Sequence, residues 1–397
     1  MKIACIGGGP GGLYFAICIK LQKPKYDVCV IERNKATDTF GWGVVLSDET
    51  LDNLDKNDPV SAKEIRSNFA YWDDIALHHK GKKLKSTGHG FCGIGRKSLL
   101  MILQKRAKDL GVRLQFESEV SSASEYANDF DIVVAADGLN SKTRKEFKNI
   151  FKPDIDVRAC QFIWLGTKQK FEDAFTFIFE KTKNGWVWAH AYQFDNDTAT
   201  FIIECSQKTF DAFGFNNLNQ TESISICQEI FTDYLDGNPL MTNANHIRGS
   251  AWIKFPRVLC KKWSHKNIVL LGDAAATAHF SIGSGTKLAL ESAISLTNNL
   301  LKEKNYRLAF EKYEENRKLE ILRLQSAARN SVEWFEDVEK YLDLNPIQLK
   351  YSLLTRSQRI SHENLRVRDP HWLNEAEKWF QKQAGVNGNE KVRAPMF

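Results

Sequence analysis

The sequence predicts an α/β fold in three parts, and three observations predict it. A glycine-rich turn joins an apolar strand to a helix near the N-terminus, aromatic and β-branched strands fill the middle of the chain, and long helical segments close it. We therefore expect a first domain of residues 1–156 and 266–300. A sheet domain of residues 157–265, with part of 70–92, is expected to interrupt it, and residues 301–397 are expected to form a helical region.

Composition narrows the class of protein. The 397 residues are 43% hydrophobic and 26% charged, which is typical of a globular protein with room for about two domains. A net charge of +6 is too mild and dispersed for nucleic acid, but it suits an anionic small molecule. No apolar run approaches the roughly 20 residues that span a membrane, and a strand begins by residue 3, so we expect a cytoplasmic protein without a signal peptide.

The eight cysteines are scattered and include no C-x-x-C pair. They therefore indicate small core residues in a reducing compartment. No cluster of His and Cys has the spacing of metal ligands, so no metal site is expected.

The N-terminal glycines predict an anion-binding turn. Ile3–Ile6 is a short apolar run fit for a buried parallel strand, and Gly7, Gly9 and Gly12 follow in G-x-G-x-x-G register, with Pro10 between them. The first N–H groups of the helix that follows have no partner within the helix and can point at a phosphate.

A second strand, Val28–Ile31, leads to Glu32 and Arg33, and Glu32 stands 20 residues after Gly12. A carboxylate at that place meets a ribose hydroxyl in Rossmann-like domains. The context therefore predicts a Rossmann-like dinucleotide-binding domain, although a plain tight turn is the simpler interpretation of the glycines alone. The fingerprint leaves FAD and NAD both open.

Three further places could contact the ligand. Val44 and Val45 follow a Gly-Trp-Gly sequence that lets backbone approach a flat ligand or forms an ordinary turn. Arg96 is the first residue of a helix, where its positive charge faces the positive end of the helix dipole. Either the arginine binds a ligand there or it is simply solvated. A buried strand at 131–136 ends in Asp137 and Gly138, at the edge where α/β proteins bind ligands.

The middle of the chain predicts an antiparallel sheet that forms the floor or roof of a substrate site. Its strands are expected at 162–165, 175–179, 186–194 and 200–204, followed by a helix over 222–235 and a last strand at 252–255. Next, a buried strand leads to Gly272 and Asp273, and a glycine-bearing loop precedes a long helix near Thr286. Residues 298–343 and 346–384 are expected to be helical.

Taken together, these motifs resemble the FAD-dependent aromatic hydroxylases of the p-hydroxybenzoate hydroxylase type, over nearly the whole chain. The resemblance implies that the protein binds FAD. The residues that it implies as FAD contacts are Gly7, Gly9, Pro10, Gly12, Glu32, Arg33, Val44, Val45, Arg96, Asp137, Gly138, Gly272, Asp273, Gly283, Ser284, Gly285 and Thr286. Of these, 283–286 is implied to lie against the isoalloxazine, and Asp137 and Gly138 to serve both FAD and the nicotinamide.

Finer similarities concern the substrate. The stretches 40–47, 279–286 and 351–366 are similar to hydroxylases of salicylyl-CoA and 2-aminobenzoyl-CoA, and the violacein-pathway hydroxylase shares the first two. Many relatives carry His and prolines after the Gly-Asp pair, where this chain has Ala276 and His279-Phe280. The last residues, 394–397, resemble the beginning of a fused flavin reductase domain, so a reductase domain or partner is a possibility to keep open.

The resemblance implies reduction of FAD by NADH or NADPH, reaction with O₂ to a C4a-hydroperoxide, and hydroxylation of an aromatic, CoA-linked ring by a monomer or homodimer. The stretch 279–286 is called the flavin loop below. We select His279, at its start, as the candidate catalytic residue. Trp188, His190 and Tyr192 are candidates to line the ring pocket. Arg356 and Arg359 are candidates to bind CoA phosphates, although a solvated basic helix face is the simpler interpretation.

Three alternatives remain. An indole hydroxylase would be indifferent to CoA. A flavin halogenase would need a tryptophan motif ending in Ile-Pro, and the stretch 186–191 has only the tryptophans. A non-enzymatic protein of the same fold would not need both Asp137-Gly138 and Gly272-Asp273.

Overall fold

The fold was taken from a computed structural model that describes residues 1–39, 41–171, 174–243 and 251–385. Its strands are β1 (Lys2–Ile6), β2 (Asp27–Ile31), β3 (Gly43–Leu46), β4 (Ala70–Trp72), β5 (Asp74–His79), β6 (Lys82–Ser86), β7 (Phe91–Gly95), β8 (Arg113–Gln115), β9 (Ile132–Ala135), β10 (Pro153–Thr167), β11 (Ala174–Thr182), β12 (Gly185–Gln193), β13 (Ala199–Cys205), β14 (Leu240–Met241), β15 (Ile253–Cys260), β16 (Ser264–His265) and β17 (Ile268–Leu270).

The helices complete the fold. They are α1 (Pro10–Gln22), α2 (Asp48–Asn57), α3 (Pro59–Arg66), α4 (Arg96–Asp109), α5 (Ala123–Asp129), α6 (Lys142–Glu146), α7 (Lys148–Phe151), α8 (Gln207–Phe213), α9 (Gln220–Ile230), α10 (Thr232–Leu235), α11 (Gly285–Lys302), α12 (Tyr306–Glu336), α13 (Pro346–Thr355), α14 (His362–Arg368) and α15 (Pro370–Gln383). No helix in the described part of the chain is long and apolar enough to span a membrane.

A mainly parallel sheet carries the N-terminal glycine turn. Its order is β16-β17-β9-β1-β2-β8, and only β16 pairs antiparallel. Its central strands are apolar and buried, because helices α1 and α11 pack together beside them in the largest core cluster. The α/β, Rossmann-like fold class is thereby confirmed.

A second, larger sheet is built from the aromatic strands. Its order is β14-β10-β13-β12-β11-β5-β6, with β15 paired to β10. The pairing is antiparallel as predicted, except that β11 and β5 run parallel. The strands β5 and β6 come from the 70–92 segment and turn at Lys80 and Gly81, which both have positive φ. The domain boundaries given above stay a prediction.

A third sheet, β3-β7-β4, is built from strands that alternate along the chain with those of the other two sheets, and it brings β3 near the ligand site. The C-terminal helices cover one face of the large sheet. There Trp334, Phe335 and Leu353 share a core with Phe177 and Trp188. Residues 298–343 do not form one helix: α11 ends at Lys302, and α12 begins after Asn305, whose side chain accepts the Leu308 N–H at 3.0 Å.

Candidate active site

The turn after β1 is shaped by two glycines that have no room for a side chain. A Cβ on Gly7 would lie 2.3 Å from the Ala136 carbonyl oxygen, and Gly7 has a φ of +109°. A Cβ on Gly12 would lie 2.2 Å from the Gly7 carbonyl oxygen. A Cβ on Gly9, by contrast, would have no described atom within 4 Å, and Gly9 faces an open cleft. Gly9 also precedes α1 without a side-chain cap, so the first N–H groups of α1 remain available to an anion.

Glu32 helps to hold this turn. Its Oε2 accepts the Gly8 N–H at 2.7 Å, and its Oε1 accepts the Asn34 N–H at 2.9 Å. Glu32 and the exposed Arg33 both line the cleft. Oε1 also accepts the Asn34 Nδ2–H at 2.8 Å, whereas Oε2 accepts one hydrogen bond and can accept another. Contact of Oε2 with a ribose stays a prediction.

Asp137 and Gly138 lie beside the glycine turn, since β9 pairs with β1 and a Cβ on Gly7 would lie 3.0 Å from the Asp137 N. The Asp137 Oδ2 accepts the Thr143 N–H at 3.0 Å, whereas its Oδ1 is buried and has no partner among the described residues. Gly138 has a φ of +75° and open space where a side chain would stand. A buried acceptor without a partner, beside an open glycine, indicates a place that a ligand completes.

Arg96 and Asp273 form the link between the cleft and a deeper cavity. Arg96 lines both spaces, and Asp273 lines the cavity. Their side chains make no hydrogen bond to any described residue. Burial lowers the pKa of Arg96 and raises the pKa of Asp273, and the opposite charge of each partner works against both shifts. Each charge favours the ionised form of the other group and thereby opposes the effect of burial. The pair thus offers a guanidinium cation and a carboxylate acceptor to a ligand.

The cleft and cavity together fit an extended dinucleotide such as FAD. The residues that line the two spaces supply backbone N–H groups, a buried carboxylate oxygen without a hydrogen-bond partner among the described residues, a buried cation, and glycines that leave space for a ligand. The predicted contacts lie around these two spaces. They are Gly7, Gly9, Glu32, Arg33, Asp137 and Gly138 in the cleft, and Pro10, Val44, Val45, Asp273, Gly283, Ser284, Gly285 and Thr286 in the cavity.

Two predicted FAD contacts lie beside these walls. Gly12 is buried under the turn, and Gly272, with a φ of +61°, precedes Asp273. Both shape the backbone next to lining residues. The role of each predicted contact toward FAD stays a prediction.

The deeper cavity encloses about 190 Å³ between the flavin loop and the large sheet. Gly283 packs against Val45, since a Cβ on Gly283 would lie 3.5 Å from the Val45 Cβ. The helix α11 begins at Gly285 without a side-chain cap on its N-terminus. Its positive end therefore faces the cavity. The opposite wall, on the large sheet, is aromatic and consists of Trp164, Phe175, His190, Tyr192 and Phe255, and Phe280 of the flavin loop adds a further ring to the cavity.

His279, the predicted catalytic residue, does not line this cavity, although its neighbours Ala278 and Phe280 do. Its ring is buried, lies 4.2 Å from the Phe280 ring, and accepts the Ser281 N–H on Nδ1 at 3.2 Å. Burial holds the pKa of His279 well below its usual range. The imidazole is therefore neutral and supports the flavin loop, and a catalytic role stays a prediction without direct contact to the cavity.

His190 and Tyr192 do line the cavity, as predicted for ring contacts. The Tyr192 hydroxyl donates to the Gly43 carbonyl at 2.9 Å, and burial raises the pKa of Tyr192 to about 12. Trp188 lies on the same face of the same strand but outside the cavity lining, and its Nε1 donates to the Glu204 carboxylate at 2.9 Å. Glu204 was missed by sequence reasoning. A carboxylate that closes the apolar run of β13 was the available signal.

The two arginines predicted to bind CoA differ in position. Arg356 is a partly buried residue whose guanidinium donates to Ser331 Oγ at 3.0 Å, the Leu353 carbonyl at 2.7 Å and the Ser281 carbonyl at 3.1 Å. Burial lowers the pKa of Arg356 to about 10. Arg359 lines a surface groove. The structure therefore does not bring the two residues together, and their substrate contacts stay predictions.

Known proteins are similar to this chain in sequence and in fold, although no protein-family model matches it. The chain is 38% identical over 391 residues to salicyloyl-CoA 5-hydroxylase of a Streptomyces species, covering 96% of this chain and 74% of that protein. It is 32% identical over 365 residues to protodeoxyviolaceinate monooxygenase of Chromobacterium violaceum, covering 91% and 95%. The chain belongs to the FAD-dependent aromatic monooxygenases.

Two further similarities agree. The chain is 31% identical over 365 residues to 3-hydroxy-4-methyl-anthranilyl-(aryl-carrier protein) 5-monooxygenase of Streptosporangium sibiricum, covering 92% and 97%. In fold it matches 2-methyl-3-hydroxypyridine-5-carboxylic acid oxygenase with a TM-score of 0.70 at 19% identity, covering 94% of this chain and 98% of that one. The family resemblance drawn from the motifs is confirmed, as is an enzyme that hydroxylates aromatic rings with FAD. The non-enzymatic alternative is thereby set aside.

Proposed function

We propose that this enzyme hydroxylates the ring of an aromatic acid that is carried as a CoA thioester, with NADH or NADPH as reductant and O₂ as the source of oxygen. The observation that carries the proposal is the deeper cavity, where the backbone of Gly283 and Gly285 faces the aromatic wall of the large sheet. An aromatic guest in that cavity lies between the flavin loop and polar side chains on β12.

FAD, when bound, supplies acceptance of a hydride, reaction with O₂ and delivery of one oxygen atom to a ring. The protein's residues bind, orient and shield. The N-terminus of α11 provides positive potential at the cavity, Arg96 adds a cation beside it, and the aromatic wall excludes water. The glycine fingerprint at 7–12 joins a strand to a helix, whereas the second G-x-G-x-x-G match, at 88–93, runs into β7. This supports transient rather than dedicated binding of the nicotinamide.

The thioester part of the proposal has two supports. Two of the relatives are named for substrates carried as thioesters, one on CoA and one on an aryl-carrier protein. The second support is the surface groove that contains Arg359. The groove and the cavity both border the first turn of α11, since Thr286 lines the cavity and Lys287 lines the groove. Lys302 and Arg323 line the groove as well, among the carboxylates Glu49, Glu291 and Glu320, of which the first two pair with Lys287. Lys302, Arg323 and Arg359 are the cations that a phosphate-bearing tail would meet there.

A tryptophan-derived indole is the second candidate substrate, and the similarity to protodeoxyviolaceinate monooxygenase favours it. Such a substrate would fill the same aromatic cavity and would leave the groove unused. The two candidates therefore differ in whether the enzyme requires a CoA thioester on its substrate.

One experiment separates them. The FAD-loaded enzyme is given NADH or NADPH with salicyloyl-CoA, 2-aminobenzoyl-CoA, free salicylate or tryptophan, and hydroxylated product is measured beside nicotinamide oxidation. The proposal predicts product with a thioester and little with the free acids. Product from free salicylate or tryptophan but not from thioesters would overturn the thioester assignment, and no product from any ring would overturn the proposed reaction.

A further inference from the structure

A carboxylate that the predicted mechanism leaves unused is buried beside the aromatic wall, on the same face of the large sheet. Glu204, on β13, is 1% exposed. Its Oε2 accepts the Trp188 indole N–H at 2.9 Å and lies 3.2 Å from the His190 Nε2. Trp188 stands directly opposite Glu204 in the β12–β13 register, and His190 follows two residues later on the same face. A buried carboxylate is stable only when hydrogen-bonded, and these two donors meet that need.

The contact with Glu204 fixes the orientation and tautomer of His190. An ionised carboxylate can only accept hydrogen bonds, so the Nε2 that faces Glu204 must be the donor. The proton of the neutral imidazole therefore resides on Nε2. The Nδ1 then carries a lone pair. His190 lines the cavity, and its Nδ1 makes no hydrogen bond to any described residue.

The surroundings of His190 keep the imidazole neutral and in place. Rings of Phe335 and Phe177 lie 4.8 and 5.2 Å from its centroid. The charged or titratable groups that face it are Glu204 on β13, Arg356 after α13 and His279 in the flavin loop. Burial lowers the pKa of His190, and the Glu204 charge opposes that shift. At neutral pH the ring is therefore an acceptor on its cavity side, and a protonated ring would find its counter-charge in Glu204.

We propose that His190 Nδ1 is the acceptor for a hydroxyl or amine on the substrate ring and holds its proton during hydroxylation, with Glu204 and Trp188 as positioning residues. The inference rests on the proposed function. For a phenol, the O–H bond breaks, the Nδ1–H bond forms, and the electron pair left on oxygen enriches the ring for attack. The proton returns to oxygen or solvent when product leaves. The cavity thereby selects rings that carry a hydrogen-bond donor over unsubstituted rings.

The binding test uses no turnover. Salicyloyl-CoA and benzoyl-CoA, which differ by the ring hydroxyl, are titrated calorimetrically into FAD-loaded enzyme without reductant. The unaltered enzyme is expected to bind salicyloyl-CoA roughly tenfold more tightly. His190→Phe is expected to remove that preference and retain FAD, whereas the exposed control His371→Phe keeps it. An unchanged preference in His190→Phe would overturn the inference, and so would an equal loss of affinity for both thioesters.

A kinetic test separates Glu204 as a positioning residue from a purely structural one. Glu204→Gln keeps an oxygen for the two donors but removes the charge that stabilises protonated His190. We expect kcat to fall about tenfold or more and the acidic limb of the pH profile to move to lower pH. An unmoved profile would contradict the inference. If Glu204→Gln fails to fold, the His190→Phe titration decides, and hydroxylation by the unaltered enzyme reports separately on the proposed function.

Discussion

The glycines of the first turn act on different partners. Gly7 and Gly12 make room for protein backbone, since a side chain on either would collide with a carbonyl group of the turn or of its neighbour strand. Gly9 makes room for something that is not protein, since no described atom approaches its Cβ position. Its φ of −73° is also one that alanine adopts without strain.

This contrast gives a matched pair of variants. Gly9→Ala is expected to leave the melting temperature of the FAD-free protein unchanged and to weaken FAD binding about tenfold or more, because the methyl group enters the ligand's space. Gly12→Ala is expected to lower the melting temperature as well, because its Cβ would overlap the Gly7 carbonyl. Thermal melts and FAD titration measure both effects. Normal FAD affinity in Gly9→Ala would contradict the placement of FAD in the cleft.

Individual residues were predictable to different degrees. Gly7 and Gly12 followed from spacing, because a tight strand-to-helix turn admits few residues there. The sequence could not show which histidine faces the cavity. His190 alternates into the cavity with the register of β12, whereas His279 sits in a loop whose path depends on contacts with Phe255 and Phe280. Glu204 could not be paired with His190 before the register of β12 and β13 was known.

At the scale of elements, the C-terminal helices are joined to the flavin loop through Arg356. Its guanidinium donates to the loop carbonyl of Ser281 and to groups on α12 and α13, and it stacks over Phe177 and Phe335 at 5.0 and 5.2 Å. A single side chain thus ties two helices, the large sheet and the loop before α11. The segment around it was predicted as helix, but its basic residues do not share one surface.

Arg356 and Arg359 should respond differently to substitution. Arg356→Met leaves buried carbonyls without a donor and is expected to cost about 2–4 kcal/mol of unfolding free energy. Arg359→Glu is expected to leave stability unchanged and to raise the KM for an aryl-CoA roughly fivefold, with a smaller effect at high salt. Denaturant unfolding and steady-state kinetics measure these outcomes. A normal KM in Arg359→Glu would remove the groove as a CoA contact, and a fully stable Arg356→Met would contradict the link.

Helix and strand types were predicted well where periodicity was strong, and breaks were predicted less well. The parallel strands of the first sheet followed from short apolar runs bounded by turns. The stretch 48–66 forms two helices and not one, because Pro59 has no N–H to continue α2 and instead opens α3. The parallel pairing of β11 with β5 joins segments about 100 residues apart, and no local pattern encodes such a contact.

At the scale of the molecule, the site is built where three sheets approach one another. The parallel sheet supplies the glycine turn and Asp137, the small sheet supplies Val44 and Val45, and the large sheet supplies the aromatic wall. Residues separated by more than 250 positions therefore line two spaces that have Arg96 in common. The division of the chain into domains, the oligomeric state and a reductase partner stay predictions, and residues 394–397 lie outside the described part of the chain.

The most direct test of this account is a crystal structure of the enzyme with FAD and salicyloyl-CoA in the absence of reductant. The account predicts one FAD per chain, with its pyrophosphate at Gly7–Gly9, its flavin against Gly283–Thr286, and the ring hydroxyl of the substrate at His190 Nδ1. FAD bound elsewhere, or a substrate ring outside the aromatic cavity, would contradict it.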